Sequence, residues 1–293
     1  MALLIDGKKI AAEIRAEVKA VVDRLRAEQN TVPGLAFILV GEDPASQSYV
    51  RMKGKACEEV GFHSVTDRLP ESIKEVKLLE RIRSLNADHS IHGILVQLPL
   101  PGHINESRVI SAIDPAKDVD GFHPVNVGKL VIGEETLRPC TAAGIQELLI
   151  RSHIDVAGKH VVVVGRSNIV GKPIANILLQ KQKGANAVVT VVHTGAKDLE
   201  PYLRSADILI AAIGKPEVIR GEHLKPGVVV VDVGINRVED PSQKNGYRIV
   251  GDVHFESASK VAGAITPVPG GVGPMTIALL LKNTLQACRA TVL

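Results

Sequence analysis

Tryptophan is absent from the chain, and aromatic residues of all kinds make up only 2% of its 293 positions. Stacking platforms for nucleic-acid bases are therefore nearly missing, and no run of basic residues resembles a nucleic-acid arm. An excess of one charge is lacking too: 35 Lys and Arg stand against 32 Asp and Glu, a net charge of +3. That mild basicity suits a small anionic ligand. Cysteine is sparse. Cys57, Cys140 and Cys288 lie far apart and are odd in number, which argues against a disulfide framework and favours a reducing compartment. No CxxC or clustered Cys/His pattern suggests zinc or another metal. The N-terminal stretch MALLIDGKKIAAEIRAEV carries an acid early and has no apolar run long enough for a signal peptide or a membrane span. A cytoplasmic protein without nucleic-acid or membrane partners is expected.

Aliphatic side chains are plentiful. With 45% hydrophobic residues and few aromatics, Val, Ile, Leu and Ala must fill the core, which suits parallel sheets covered by helices. Apolar runs of strand length recur at Leu35–Val40, Ser64–Leu69, Gly93–Leu98, His160–Val164, Val188–Val192, Ile208–Ile213 and Val228–Val233. Helical patterns lie between them at Ala11–Glu28, Ala45–Val60, Ile73–Leu85, Glu106–Ile113, Ala142–Arg151 and Pro173–Lys183. The alternation predicts βαβ units. The stretch DPAKDVDGFHPVNVGKLVIGEETLRPCT breaks the rhythm, so a domain boundary is expected near Phe122 to Thr141. Met275–Arg289 reads as a helix crossing back to the first domain, and Glu239–Gly246 (EDPSQKNG) as a hairpin-like surface loop.

In the second half, KHVVVVGRSNIVGKP runs a buried-looking strand into a helix start. Backbone N–H groups at such a start can hold a phosphate, and Gly165 and Gly171 permit close approach. Other strand ends carry glycine or small polar residues: His193, Thr194 and Gly195, then Gly214, then Gly234 and Ile235. Such ends leave room for a flat ligand at the carboxyl edge of an open sheet. An NAD site usually has an acid after its second strand; here His193 and Thr194 stand there, and no acid comes before Asp198. Arg166 and Ser167 offer a cation and a hydroxyl donor for a 2′-phosphate, so NADP is expected. The alternative for Arg166 is a solvated turn residue.

In the first half, EDPASQSYVRMKGKACEEVG reads as a helix with Asp43 as N-cap, Pro44 in the first position and Gly61 at the end. Arg51, Lys55, Glu58 and Glu59 share one polar face; Tyr49, Val50, Ala56, Cys57 and Val60 form the opposite arc. Lys53 falls in the middle of that apolar arc, one turn after Tyr49. A partly desolvated lysine can act as a proton acceptor near neutral pH. The competing reading is a lysine that snorkels to solvent. Gln97 ends the strand HGILVQLPLP, and Asp118 and Asp120 follow a helix, so polar groups gather at strand ends. Taken alone, Asp120 reads as a turn or cap. Near the C-terminus, ITPVPGGVGPMT joins a short apolar strand to the last helix through Gly270 and Gly271, a permissive loop that could lie close to a ligand.

The stretches SQSYVRMK, VQLPLP, KDVDGFHPVNVGKL, RPCTAAGI, GRSNIVGKP, DVGINR, GDV and ITPVPGGVGPMT occur in that order across nearly the whole chain. Together they closely resemble the bifunctional methylenetetrahydrofolate dehydrogenase/cyclohydrolase (FolD) family. The resemblance implies oxidation of 5,10-methylenetetrahydrofolate with NADP to the methenyl form, then hydration to 10-formyltetrahydrofolate, within the one-carbon metabolism that serves purine and amino-acid biosynthesis. It implies that Lys53 is the general acid/base of the hydration and that Gln97 holds and tunes it. Asp120 then binds the pterin amino and ring N–H groups, and Tyr49 packs on the folate. Gly165, Arg166, Ser167, Thr194 and Ile235 match cofactor contacts; Gly270, Gly271 and Val272 match the loop beside the folate. Ser46 lies on the Lys53 arc. No metal is implied, and a homodimer through the nucleotide-binding domains is. Two positions depart from the family pattern: Ala142 follows Thr141 where proline is common, and Thr194 follows His193 where serine is usual.

The expected fold is α/β with two domains, the second a Rossmann-type doubly wound parallel sheet, and a cleft between them. Residues 1–122 plus 276–293 are expected to form the folate-binding catalytic domain and 123–275 the NADP-binding domain. A dehydrogenase without cyclohydrolase activity and a non-catalytic NADP-binding protein are the alternatives.

Overall fold

The apolar run His160–Val164 forms a strand whose four valines are at most 3% exposed. A strand covered on both faces needs helices on both sides, and the chain supplies them in alternation. The structure is a computed structural model and describes residues 2–243 and 246–291. His160–Val164 lies in a six-stranded sheet, parallel throughout, in the order Leu3–Leu4, Ala264–Ile265, Val229–Asp232, Ile208–Ala211, His160–Val164, Val188–Val192. Counted from His160, these strands run 2-1-3-4-5, a doubly wound order, with Leu3–Leu4 added at the far edge. The order reverses between His160–Val164 and Ile208–Ala211, so the ligand crevice of such a sheet opens beyond their carboxyl ends. Val162, Leu209, Val230, Leu203 and Ile219 belong to the apolar cluster on one side of it.

Two compact units divide the chain. One comprises Met1–Ala11 and Thr141–Thr276, the other Ala12–Cys140 and Ile277–Leu293. The N-terminal residues go with the large sheet because the Leu3 and Ile5 N–H groups donate to Gly263 O and Ile265 O at 2.8 and 2.9 Å. The second unit holds a three-stranded parallel sheet with Gly34–Val40 between His63–Leu69 and Gly93–Val96. All of Gly34–Val40 is buried, and Phe37 alone contributes about 2–3 kcal/mol of burial. Asp118 bridges to Ile94 as a further parallel step, so this small sheet also reverses its order beside the central strand.

The helix Pro44–Val60 begins and ends as its sequence predicts. Asp43 accepts from the Ser46 N–H at 2.7 Å, and Gly61 closes the helix at φ +80°. Other boundaries differ for local reasons. The first helix runs Gly7–Gln29, starting four residues before Ala11: Asp6 caps it by accepting from the Lys9 N–H at 3.0 Å. Only glycine fits at position 7, where a Cβ would stand 1.8 Å from Gly271 O. The last helix runs Val272–Ala290, and the strand expected over Gly93–Leu98 stops at Val96. The helix expected over Pro173–Lys183 runs Gly171–Leu179.

The rhythm-breaking stretch contains a helix after all, Pro124–Ile132, capped by the His123 imidazole accepting from the Val125 N–H at 3.1 Å. Its apolar residues do not mark its buried face: Val125, Val131 and Ile132 are 46%, 51% and 70% exposed, while the polar Asn126 is buried beside Leu130. Strands Asn236–Glu239 and Tyr247–Val250 pair antiparallel as the expected hairpin; residues 244 and 245 of its loop lie outside the described residues. Among the described residues, no helix is long and apolar enough to cross a membrane.

Candidate active site

The helix Pro44–Val60 follows the central strand of the small sheet and turns one face onto it. Arg51, Lys55, Glu58 and Glu59 are exposed, while Val50, Ala56, Cys57 and Val60 are buried, as the periodicity requires. Lys53 is buried among them at 7% exposure. Its ammonium donates to Gln97 Oε1 at 3.1 Å. Gln97 in turn donates through Nε2 to Leu98 O at 2.7 Å, which fixes the amide so that its oxygen faces the lysine. The snorkelling alternative does not describe this lysine. Tyr49, four residues earlier on the helix, is half-buried, and burial raises its phenol above the usual range.

Asp120 lies one residue beyond Val119, after the bridge at Asp118. Burial pushes its carboxyl up to about 6; the Lys53 ammonium pulls against that shift and the Asp118 carboxylate adds to it. Lys53 and Asp120 therefore act on each other electrostatically within one unit. Asp118 itself is 1% exposed and does structural work: its carboxylate accepts from the His123 N–H at 2.7 Å and Asn126 Nδ2 at 2.9 Å. Lys117 is anchored by three carbonyls, Leu85 O, Asn86 O and Asp88 O, at 3.2, 2.8 and 2.7 Å. Cys140 is buried beside this segment and its thiol donates to Val119 O at 3.2 Å. Burial, reinforced by the Asp120 charge, raises that thiol well above its usual value. Ser46, on the same helical arc as Lys53, is buried at 6% exposure.

The remaining candidates lie in the unit of the large sheet. Gly165 ends the strand at φ +132°, and a Cβ there would meet Ala212 O at 2.2 Å. Gly171 starts the next helix so close to that turn that a Cβ would meet Gly165 O at 2.3 Å. The turn between them is therefore backbone packed on backbone, with Arg166 and Ser167 exposed above it. Ser167 Oγ accepts from the Val170 and Gly171 N–H groups at 3.2 and 3.3 Å, which leaves its O–H hydrogen for another acceptor. The Gly165 N–H donates to Val192 O at 2.8 Å, so the ends of the first two strands are neighbours and Thr194 stands exposed just beyond. Ile235 is 53% exposed after the strand Val229–Asp232. Gly270, Gly271 and Val272 are buried, with Gly270 O accepting from the Lys8 N–H at 3.1 Å.

Two buried carboxylates escaped the sequence reading. Asp252, fully buried, accepts from the consecutive N–H groups of Ile213, Gly214 and Lys215 at 2.5, 2.9 and 3.0 Å and from Asn236 Nδ2 at 3.0 Å. Asp232 accepts from the N–H groups of Gly234, Asp252 and Val253, each at 2.9 Å. Burial, with the Asp252 charge added, raises Asp232 to about 7 despite those bonds. Together they tie down the ends of two strands beside the crevice. The only sequence signal was the pair of stretches DVGINR and GDV, whose glycines leave no room for a side chain. A Cβ on Gly234 would meet Asp252 Oδ1 at 2.2 Å, and one on Gly251 would meet Asp232 Oδ2 at 1.8 Å. Among the described residues, no group of three or more His, Cys, Asp or Glu is arranged to hold a metal ion.

Comparison with known proteins agrees with this geometry. Residues 5–120 match the tetrahydrofolate dehydrogenase/cyclohydrolase catalytic domain, and residues 139–292 match the NAD(P)-binding domain of the same family. The bifunctional protein FolD of Syntrophobacter fumaroxidans is 59% identical over 289 residues, 98% of this chain and 97% of that protein. The crystal structure of the bifunctional enzyme FolD, methylenetetrahydrofolate dehydrogenase/cyclohydrolase, from Campylobacter jejuni superimposes with a TM-score of 0.94 at 49% identity, covering 99% of this chain and 100% of that one. The Trypanosoma brucei methylenetetrahydrofolate dehydrogenase-cyclohydrolase, solved in complex with NADP and an inhibitor, gives a TM-score of 0.94 at 43% identity, covering 99% and 98%. The chain belongs to the tetrahydrofolate dehydrogenase/cyclohydrolase family.

Proposed function

We infer that the protein is a bifunctional enzyme that oxidises 5,10-methylenetetrahydrofolate with NADP and hydrates the methenyl product to 10-formyltetrahydrofolate. The single observation that carries this reading is the buried Lys53 ammonium held on Gln97 Oε1 at 3.1 Å within electrostatic reach of Asp120. A buried lysine with an amide to aim it is costly to fold and useful for moving protons.

NADP fits the large sheet. The glycines of the Gly165–Gly171 turn pack backbone on backbone, which brings the start of the helix Gly171–Leu179 against the strand end where a pyrophosphate would lie. Arg166 and the free O–H of Ser167 supply donors where an acid would repel a 2′-phosphate, and Thr194 adds a hydroxyl at the adjoining strand end. Ile235 offers an exposed apolar side chain for a flat ring. NADP, when bound, supplies the hydride acceptor.

The chain's own residues do the rest. The Asp120 carboxylate accepts from the amino and ring N–H groups of the pterin, and Tyr49 packs on the ring, which orients the one-carbon bridge. Gly270, Gly271 and Val272 form the loop beside the folate. Once the folate carbon has lost its hydride, the folate nitrogens share the positive charge. Lys53, as the free amine, takes a proton from the water that attacks this carbon and gives it to the nitrogen that departs, while the new hydroxyl releases its own proton as the C–N bond breaks and the formyl group forms. Gln97 keeps the amine on the attack line throughout.

The same reading assigns residues 1–122 plus 276–293 to folate binding and 123–275 to NADP, although the compact units divide differently, with residues 1–11 in the unit of the large sheet and 123–140 in that of the small one. It also makes the protein a cytoplasmic homodimer in one-carbon metabolism, serving purine and amino-acid biosynthesis. A paired spectrophotometric assay tests it. With methylenetetrahydrofolate and NADP, NADPH forms and the methenyl absorbance rises and then decays; NADPH without that decay leaves a dehydrogenase alone, and neither signal rejects the reading. Substituting NAD tests the cofactor, and sedimentation tests the dimer.

A further inference from the structure

We propose that Asn283, on the last helix, is a positioning residue that sets the aim of Asp120; this rests on reading the Lys53–Asp120 group as the folate site. Asn283 is 5% exposed in a stretch, ALLLKNTLQAC, that is otherwise mostly apolar. A buried amide needs partners. Its Nδ2 donates one hydrogen to Val119 O at 2.8 Å and the other to Arg138 O at 2.9 Å, with Cys140 Sγ at 3.5 Å. Both strong acceptors are backbone carbonyls, so the orientation of the amide is dictated by its neighbours.

The Val119 carbonyl belongs to the peptide plane that carries the Asp120 nitrogen. Holding that plane, together with the next one through the Gly121 N–H donating to Asp118 O at 3.1 Å, fixes the direction of the Asp120 Cα–Cβ bond. The Cys140 thiol donates to the same carbonyl at 3.2 Å, so two donors grip it. On the other side, Gly121 at φ +73° lies against the 138–139 backbone: a Cβ there would stand 2.5 Å from Arg138 C and Pro139 N. Asn283 thus clamps together the two segments that flank Asp120 and Cys140. Without it, two carbonyls lose a donor and the Cys140 thiol remains to hold the 119–120 plane, a weaker donor that lets it tilt. A carboxylate that must meet two N–H groups of a rigid pterin tolerates little tilt.

The experiment is a double-mutant cycle on the full-length enzyme, measuring KM for methylenetetrahydrofolate and kcat for NADP reduction. Asn283→Ala is expected to raise KM about tenfold with kcat within about twofold of wild type, the pattern of lost uniform binding. In an Asp120→Ala background the same substitution is expected to change KM no further, because the residue it aims is gone. Asn283→Ser, which keeps one donor, is expected to fall between wild type and Asn283→Ala, and it serves as the soluble variant should Asn283→Ala fail to fold. Equal KM increases in both backgrounds overturn the proposal, as does a loss of stability or kcat with KM unchanged. A wild-type enzyme that turns over no tetrahydrofolate substrate overturns the functional reading first, and this proposal with it.

Discussion

Lys53 and Gln97 are separated by 44 residues in the chain, and their side chains meet at 3.1 Å. The contact arises because Lys53 rides on the helix after the central strand and Gln97 sits at the carboxyl end of the strand beside it. A sheet that reverses its order there brings the two together.

Lys53→Met keeps the length and apolar character of the side chain and removes only the ammonium. Hydration of the methenyl form should fall at least about 100-fold, the scale of a lost general acid/base, while the hydride step proceeds. Accumulating methenyl absorbance in the coupled assay is the expected result. Hydrolysis at the wild-type rate would remove Lys53 from the chemistry.

Asp120 carries a pH signature whose sign follows from its shift. Its carboxyl is raised from 3.8 to about 6 in the fold, so the native state holds a proton that the unfolded state releases. Its contribution is fully present below about pH 4 and is lost as pH rises through about 6. Asp120→Asn should therefore match wild-type stability near pH 4 and exceed it by about 1–2 kcal/mol above pH 6–7, while folate binding weakens. Urea titrations across that range check the sign; a variant less stable than wild type at pH 8 contradicts it.

Arg166→Ala should lower the NADP-over-NAD preference by roughly 10–100-fold, the value of one charge-assisted contact. The ratio of kcat/KM for the two cofactors is the measurement. An unchanged ratio returns Arg166 to the role of a solvated turn residue.

Gly251→Ala would drive a Cβ to within 1.8 Å of Asp232 Oδ2, a fully enclosed carboxylate that cannot swing aside without breaking its three backbone hydrogen bonds. A loss of more than about 3 kcal/mol in denaturant unfolding is expected. Gly102→Ala, where a Cβ meets nothing within 4 Å, serves as the control and should stay within about 0.5 kcal/mol of wild type.

Much of the site could be read from single stretches because local rules govern them. The helix Pro44–Val60 announces itself by Asp43, Pro44 and Gly61, and its 3.6-residue period singles out Lys53 as the polar group on an apolar face. The Gly165–Gly171 turn shows its closeness in the same way, through glycines placed where a side chain would collide. Other parts were hidden for a physical reason. Asp252 is satisfied by N–H groups 37 to 39 residues away, and Asn283 by carbonyls 145 and 164 residues away. Backbone partners leave no mark on the identity of the residues that supply them. The helix Pro124–Ile132 was missed because it is short, follows Pro, Gly and Asp, and turns Val125, Val131 and Ile132 outward while burying the polar Asn126.

Most of the order of strands and helices, the caps of Pro44–Val60 and the candidacy of Lys53 were determined by the sequence alone, since periodicity, capping and glycine sterics act over a few neighbours; the roles offered for Gln97 and Asp120 came through the family resemblance. Only the tertiary structure decided that Leu3–Leu4 joins the edge of the large sheet, and that the last helix runs Asn283 onto the carbonyl before Asp120. It also decided that Lys53 is enclosed with Gln97 as its partner. Burial and hydrogen-bond satisfaction are properties of the packed chain, and residues far apart in sequence compete for them together.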